Sequence, residues 1–393
     1  MAASEASPGL GRLGAAAALV LFIAAALTPF AELKLNRIVR GEPVGAWDSP
    51  AALTGLALAA AAVGLSRATS RRETGGLAPL VPRLLVRAAA LLLLAAPALM
   101  AGAHGLGRAS PGPGFWLAAA GLAAAWRSGR ARPDPASPPK ARRALAAALD
   151  LAALTALVIL ALGGAFDRFS PYAEFAAQGP RFWDELARHL ALSLGAFFAA
   201  AALALPTAAL AARGGPLGSG LTALAGAAQN VPSLALFGLL LPALAALADA
   251  LPGLRVLGVS GIGPAPALVA LTLYALLPMV LAGAAGLRMV DPGARDAAKG
   301  LGYSQRQAFG RVELPLALPS FLSGARTALV QTIGTATVAA LVGAGGMGYF
   351  VFQGLGQAAM DMVIVGVVPV VALSALADRL MGALQARAER YVR

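Results

Sequence analysis

The stretch "DAAKGLGYSQRQAFGRVELPLALP" runs from Asp296 to Pro319 and interrupts an otherwise strongly apolar sequence. It is rich in polar residues, broken by glycines and closed by two prolines, Pro315 and Pro319. Apolar runs long enough to cross a membrane flank it on both sides. A polar segment between two such runs has to stay in water. The side of the membrane on which this segment lies therefore determines the orientation of both flanking spans.

The composition of the whole chain identifies lipid as its solvent. Of its 393 residues, 59% are hydrophobic and 12% are charged, against about 45–50% and about 25% in soluble domains. Aromatic residues are few, so alanine, leucine, valine and glycine carry the hydrophobicity. The composition predicts an all-α integral membrane protein.

About ten transmembrane helices are predicted, because a spanning helix needs about 20 mostly apolar residues. The candidate runs lie at 13–31, 50–66, 84–103, 113–126, 145–166, 189–212, 221–247, 265–287, 317–343 and 362–384. The first run resembles a signal peptide, but the many runs after it favour an uncleaved span.

The basic residues orient these spans. The net charge is +13, and the positive residues cluster in short loops between apolar runs, above all in 66–87 and 127–143. Such loops face the cytoplasm. Successive spans cross the membrane in alternating directions. Counting from these two loops therefore places both termini and the stretch from Asp296 to Pro319 in the cytoplasm. Because the charge lies in membrane loops, we expect no nucleic acid partner.

Several kinds of chemistry are missing from the sequence. The chain has no cysteine and two distant histidines, His104 and His189, so no metal site is predicted. No Gly-Lys pair exists, which excludes a P-loop for ATP. No catalytic residues are predicted, and the chain is not expected to be an enzyme or to bind a cofactor itself.

The run "GAGGMG" fits the G-x-G-x-x-G pattern but follows a predicted membrane helix, with no βαβ unit around it. A tight turn or close helix packing is therefore predicted. We treat this run as a candidate turn or gate formed by Gly343, Gly345, Gly346 and Gly348.

The polar stretch predicts two short capped helices, and we call residues 291–315 the elbow. Asp291 and Pro292 suit the start of a helix. Either Gly300 or Gly302 is expected at positive φ to end it.

The second half of the elbow predicts a shorter helix. Ser304 and Gln307 form an S-x-x-Q capping box for a helix ending near Arg311. Pro315 and Pro319 are expected to break the chain before the next span. We expect Tyr303 and Phe309 to be exposed for docking, the alternative being a self-packed loop.

The elbow resembles a known signature. It reads D-A-A-x3-G-x9-V-x-L-P, similar to the E-A-A-x3-G-x9-I-x-L-P pattern of bacterial ABC importer permeases. The matching residues are Asp296, Ala297, Ala298, Gly302, Val312, Leu314 and Pro315. In that family the elbow inserts into an ATP-binding subunit, so the resemblance assigns these residues to ATPase coupling.

Further stretches narrow the resemblance to permeases for glycine betaine, carnitine, choline and related osmoprotectants. They are "HLALSLGAFFAAAALALPTAAL" (189–210), "QNVPSLALFGLLLP" (229–242), "ALTLYALLPMV" (270–280), "VELPLALP" (312–319) and "IGTATVAALVGAGGMG" (333–348). They imply a C-terminal five-helix type I ABC importer permease core, MetI-like in fold. The extra N-terminal spans are similar to a longer subgroup.

The resemblance also implies partners and a location. The partners are two ABC ATP-binding subunits that hold ATP and magnesium, a periplasmic solute-binding protein, and a second permease, identical or shorter. The location is the bacterial inner membrane. The cargo is a compatible solute such as glycine betaine, choline, carnitine or proline.

The predicted domains follow from the spans and the resemblance. They are an accessory transmembrane region (1–126), a basic Pro-rich cytoplasmic linker (127–144), a fifth span with a periplasmic segment (145–184), and the permease core (185–393). We expect a short interfacial helix within 167–188.

Polar residues inside the apolar spans of the core are candidates for the substrate path. They are Gln229, Asn230, Pro232, Ser233, Tyr274, Thr335 and Thr337. For serine and threonine the alternative is back-bonding within their own helix. Arg326 is the deepest charge in a span, and we expect it to pair with the cytoplasmic loop.

Other functions remain open from the sequence. A methionine-like or sulfonate-like permease shares the elbow. An ion-coupled secondary transporter would need no ATPase, but no series of acidic and histidine residues threads the spans. A membrane scaffold, in which the elbow only anchors a soluble protein, is the third alternative.

Overall fold

The computed structural model describes residues 8–36, 39–71, 81–128, 139–256 and 258–392. It divides into two compact units, Met1–Ala177 and Gln178–Arg393. Most of the predicted linker lies outside the described residues, which resume at Pro139 in the fifth span.

The described residues of the N-terminal unit form six helices and a small sheet. The helices are α1 Pro8–Leu27, α2 Pro50–Arg71, α3 Val81–Ala103, α4 Pro113–Ser128, α5 Pro139–Leu162 and α6 Ser170–Ala177. The strands are β1 Pro29–Lys34, β2 Glu42–Gly45 and β3 Arg108–Pro111, and a 3-10 turn covers Ala46–Asp48. The predicted short helix in 167–188 is confirmed as α6.

Small residues allow the helices of this unit to pack closely. A side chain at Gly121 would collide with Phe22, and one at Gly55 with Leu93. Alanines from α1 to α4 fill the core between them, several of them fully buried.

The all-α prediction missed this sheet. Its order is β2-β1-β3, with both pairs antiparallel. The predicted first span continued to residue 31, but α1 ends at Leu27 and Pro29 begins β1. Arg108 of β3 lies 2.6 Å from Glu174, a buried carboxylate of α6, which ties the sheet to that helix.

In the C-terminal unit, residues 178–256 and 258–392 form a further ten helices. They are α7 Gly179–Arg213, α8 Pro216–Asn230, α9 Ser233–Ala250, α10 Gly253–Val256, α11 Pro264–Arg288, α12 Pro292–Gly300, α13 Gln305–Ala308, α14 Leu314–Thr335, α15 Gly348–Gly356 and α16 Met360–Val392. A π turn, Phe309–Glu313, precedes α14, and a 3-10 segment, Ala336–Val342, follows it.

Helix α11 lies at the centre of this unit, between α7 and α14. Its residues Ala267, Ala270 and Leu271 are fully buried. The helices meet at glycines: a side chain at Gly324 of α14 would collide with the Pro278 carbonyl, and one at Gly286 with Ser320. The unit is thus held by close backbone approach.

The structure confirms a mostly helical chain with many apolar helices. Seven of the described helices are long and apolar enough to cross a membrane, and three shorter apolar helices cover Leu13–Leu27, Pro113–Trp126 and Ala147–Leu162. One predicted span, 221–247, is divided between α8 and α9. The residue before a proline is disfavoured from helical backbone, and Val231, before Pro232, is extended.

Candidate functional site

The elbow begins with a capped helix, as predicted. The Asp291 carboxylate accepts a hydrogen bond from the Gly293 amide at 3.0 Å, and Pro292 opens α12. Within the signature, Ala298 is buried, whereas Asp296 and Ala297 are exposed. The helix therefore packs on one side and presents its other side to solvent.

Gly302 makes the turn between the two elbow helices. Its φ is +80°, in the left-handed region where side chains are strained. The Gly302 amide donates to the Lys299 carbonyl at 2.9 Å, and the Tyr303 amide donates to the Ala298 carbonyl at 3.1 Å. These bonds close the end of α12. The prediction of positive φ at one of the two glycines is confirmed.

Ser304 and Gln307 form the predicted capping box. The Ser304 hydroxyl accepts from the Gln307 amide at 3.3 Å, and the Gln307 side-chain oxygen accepts from the Ser304 amide at 2.9 Å. Both donors at the start of α13 are thereby satisfied. The elbow turn is fixed by local bonds alone.

The expected chain break at the prolines is wrong. The second elbow helix does not end near Arg311 but continues through the π turn into α14. The Leu314 amide donates to the Phe309 carbonyl across this wide turn. Pro315 lies in the first turn of α14, where a missing amide hydrogen costs little. The elbow is therefore a helical extension of the ninth predicted span.

The exposed apolar side chain of the elbow is Leu301. The expectation that Tyr303 and Phe309 are exposed is wrong, since both rings are half-buried. The Arg311 and Arg213 guanidinium groups each lie 5.8 Å from these rings, which covers them. Leu301 is 74% exposed at the tip of the turn.

Arg295 connects the elbow to a span. It donates to the Leu287 carbonyl of α11 at 2.5 Å and lies 3.8 Å from the Glu313 carboxylate at the other end of the elbow. At the end of α11, Arg288 donates to the Ala211 carbonyl of α7 at 2.6 Å. A displacement of the elbow therefore acts on the end of α11, which is itself bonded to α7.

A second cluster surrounds the break between α8 and α9. The Gln229 amide nitrogen lies 3.4 Å from the Tyr274 carbonyl and 3.5 Å from the Gln331 side-chain oxygen. The Tyr274 hydroxyl donates to the Val231 carbonyl, a group that the helix break leaves free. The structure thus brings two predicted path residues, Gln229 and Tyr274, to the break.

The other predicted path residues lie in two places. Asn230, Pro232 and Ser233 form the break itself, and Asn230 is exposed. Thr335 is half-buried at the end of α14.

Thr337 bonds to its own helical segment, which is the alternative to a path residue that the sequence left open. It lies in the 3-10 segment, and its hydroxyl donates to the Gly334 carbonyl one turn earlier. This is back-bonding within its own helical segment.

The glycine run forms the predicted tight turn. Gly343, Gly345 and Gly346 have φ values of 78°, 75° and 90°. Gly348 opens α15, where a side chain would overlap the Thr337 carbonyl. The run therefore combines left-handed backbone with close packing, and only glycine fits both.

Arg326 has a partner other than the expected one. It makes a two-pronged pair with Asp378 of α16, at 2.6 and 2.7 Å, rather than a contact with the cytoplasmic loop. Gly382 leaves room for the guanidinium group against α16. The pair joins α14 to α16.

The chain is similar to known families in both of its units. Residues 186–390 match the family described as the binding-protein-dependent transport system inner membrane component. The chain belongs to this family. It is a membrane permease subunit and not an enzyme, which confirms the resemblance to ABC importer permeases. Residues 11–172 match the N-terminal domain of the ABC transporter permease YehY.

Curated relatives match the permease region. The chain is 32% identical over 200 residues to the carnitine transport permease protein OpuCB of Listeria monocytogenes, covering 51% of this chain and 84% of that one. It is 36% identical over 156 residues to the osmoprotectant import permease protein OsmW of Salmonella typhimurium, covering 40% and 67%. It is 36% identical over 163 residues to the choline transport system permease protein OpuBB of Bacillus subtilis, covering 42% and 72%.

Sequence reasoning missed several residues of this permease. Gln331 is a polar residue in an apolar span, so the criterion that selected Gln229 could have found it. Leu301 gave no signal, because exposure depends on the turn. In the described part of the chain, no group of three or more acidic or histidine side chains is arranged to hold a metal ion.

Proposed function

We propose that this permease forms the translocation path of an ATP-driven importer for small compatible solutes such as glycine betaine, choline, carnitine or proline. It acts with two ATP-binding subunits, a solute-binding protein and a second permease. The observation that carries the proposal is the elbow, a rigid capped turn that is bonded to the spans and exposes Leu301.

The elbow is suited to transmit the movement of a bound protein to the spans. Its helices are fixed by caps, so its shape needs no partner. An exposed leucine at the tip offers an apolar anchor for a groove. Because α13 runs on into α14, motion of the docked elbow moves a whole span. A partner can bias the spans only through contacts that differ between two states.

The sidedness follows from the charge pattern. The elbow holds Arg295, Lys299, Arg306 and Arg311, and basic residues favour the cytoplasmic face. With the elbow in the cytoplasm, both termini also face the cytoplasm in an inner membrane. The opposite end of the C-terminal unit then faces the periplasm and the solute-binding protein.

The path near the helix break suits a quaternary ammonium solute. Such a cation cannot donate hydrogen bonds and is attracted to carbonyl oxygens and aromatic faces. The break at Val231 supplies carbonyl oxygens, and the Tyr274 ring, which is buried beside it with its hydroxyl on the Val231 carbonyl, would supply an aromatic face once the path opens. Gln229 and Gln331 add neutral dipoles. The names of the curated relatives support this cargo class.

Reconstitution tests the proposal. The permease, its ATP-binding subunits and the solute-binding protein are placed in vesicles, and uptake of labelled glycine betaine, choline, carnitine and proline is measured. Methionine and a sulfonate serve as competing cargo. We expect ATP-dependent uptake of at least one of the compatible solutes. ATP-independent uptake would indicate a secondary transporter instead.

A variant of the elbow tip tests the docking. Leu301→Ser should weaken binding of the ATP-binding subunit about tenfold or more, because burying a leucine contributes about 1.5–3 kcal/mol. Titration of the purified subunit measures this affinity. Val256→Ser is the matched control, since Val256 is 88% exposed but lies outside the elbow. Equal affinities in both variants would contradict docking through Leu301.

A further inference from the structure

The first turns of α7 hold the glycine run through a buried carboxylate. Glu185 is 4% exposed, and its Oε2 accepts a hydrogen bond from the Gly346 amide at 2.7 Å. Arg181 and Arg188 lie 3.8 and 3.9 Å from its other oxygen. A buried charge needs such partners. Here the carboxylate bonds the backbone of a turn more than 150 residues away.

A buried histidine bonds the same region at two points. The His189 Nε2 lies 3.0 Å from the Ile333 carbonyl, and its Nδ1 lies 3.4 Å from the Met347 amide nitrogen. An amide can only donate, so Nδ1 accepts and Nε2 carries the hydrogen. A neutral imidazole in this tautomer satisfies both contacts.

The histidine bridges a change in helix type. Ile333 lies in the last turn of α14, just before the 3-10 segment. Carbonyls at the end of an α-helix lose their regular donors. His189 supplies a donor to one of them while holding the turn that follows the 3-10 segment. It therefore fixes both ends of that segment.

The glycines of the turn are fitted to these two side chains. A side chain at Gly345 would lie 2.8 Å from the Glu185 carboxylate, and one at Gly346 would lie 3.2 Å from His189. Both glycines have positive φ. We call Glu185, His189 and residues 343–347 the latch.

The latch lies at the opposite end of the C-terminal unit from the elbow. Helix α14 and the 3-10 segment run from one to the other. The 3-10 segment packs on α9 and α11, where Ala336 and Ala339 share a buried cluster with Tyr274. The latch thus fixes the segment that borders the proposed path.

We propose that Glu185 and His189 are positioning residues that hold this end of the permease closed, and that their bonds to the glycine turn break whenever it opens for cargo. The proposal rests on the proposed function. Bonds made only in the closed state favour that state. ATP binding to the subunits docked on the elbow and the loaded solute-binding protein together have to overcome them.

Hydrolysis by the assembled transporter without cargo or solute-binding protein tests the latch. Glu185→Ala should raise this basal rate about tenfold, the factor expected for losing one hydrogen bond to a charged group. His189→Leu should raise it likewise. His189→Gln should stay near wild type, because an amide side chain offers both a donor and an acceptor. A transporter that is merely destabilised would hydrolyse ATP more slowly. A rise in the basal rate therefore distinguishes loss of the latch from loss of folding.

The matched control lies one turn further along α7. Ser193 is buried like His189, but its hydroxyl donates at 2.7 Å to the His189 carbonyl within its own helix. Ser193→Ala should leave basal hydrolysis unchanged. A basal rate unchanged in both Glu185→Ala and His189→Leu would overturn the proposal.

Cross-linking tests the opening without touching Glu185 or His189. The chain has no cysteine, and the Arg181 guanidinium lies 3.7 Å from the centre of the Tyr349 ring. Arg181→Cys with Tyr349→Cys, joined by a short cleavable thiol reagent, should stop uptake until the linker is cleaved. Full uptake with the linker in place would also overturn the latch. A wild-type complex that shows no uptake would remove the proposed function, and the latch with it.

Discussion

The elbow and the latch are both turns built on positive-φ glycines, but they are stabilised in different ways. The elbow is closed by its own caps and backbone bonds, and Gly302 has open space around it. The latch is closed by Glu185 and His189, two side chains from another helix, and its glycines are surrounded by atoms.

This difference separates two mechanical roles. A turn that is stabilised locally keeps its shape while it moves, so it transmits force. A turn that is held by distant side chains can be released when those few bonds break. The permease therefore has a rigid part at one end and a releasable part at the other.

The largest expected effect concerns the rigid turn. Gly302→Val should reduce solute uptake more than tenfold, because a β-branched residue at φ +80° is strained by about 1–3 kcal/mol and distorts the elbow. Uptake into vesicles measures the loss. The melting temperature of the purified permease should fall only by what this backbone strain costs, since the space around Gly302 is open.

Gly300→Val is the matched control for Gly302→Val. Gly300 is two residues away, is exposed, and ends α12 with open space around it. Uptake within about twofold of wild type is expected there, since valine in a helix costs less than about 1 kcal/mol. Equal losses in both variants would mean that the backbone conformation of Gly302 is not what matters.

The next effect concerns the releasable turn. Here we expect a loss of folded stability, whereas the variant of the rigid turn mainly loses uptake. Gly346→Ala should destabilise the folded permease by about 1–3 kcal/mol, because the residue has positive φ and the new methyl group meets His189. Thermal unfolding in detergent measures this. Gly302→Ala has the same kind of backbone but open surroundings, so its melting temperature should fall less. If the two variants melt alike, the contrast between the turns is wrong.

The smallest effect concerns the cap of α13. Ser304→Ala removes the hydroxyl that accepts from the Gln307 amide and should cost about 1 kcal/mol. Faster hydrogen exchange at Gln307 is the direct readout, with uptake lowered only a few-fold. Gln305→Ala, an exposed neighbour in the same helix, should leave this exchange rate unchanged.

Local rules predicted the elbow well because its structure is local. The N-cap at Asp291, the turn at the positive-φ glycine and the capping box at Ser304 each depend on residues within five positions of each other. The continuation through the π turn was not predictable in this way. Proline chemistry predicts a break, and only the packing of α14 shows that the helix runs on.

Sites that join distant segments could not be predicted from the sequence. Glu185 lies before an apolar run, and nothing in its neighbours indicates a bond to Gly346. Asp378 as the partner of Arg326 depends in the same way on how α14 and α16 cross. The sheet of the N-terminal unit was missed because its strands are short and Pro29 follows a long apolar run.

The π turn before α14 determines the direction in which the elbow points. Each residue of an α-helix turns the chain by about 100°, and a π turn contains one residue more than a regular turn. If the same residues formed a regular α-helix throughout, the tip at Leu301 would lie about 100° further around the helix axis. The direction of the elbow therefore depends on the wide turn taking up one extra residue.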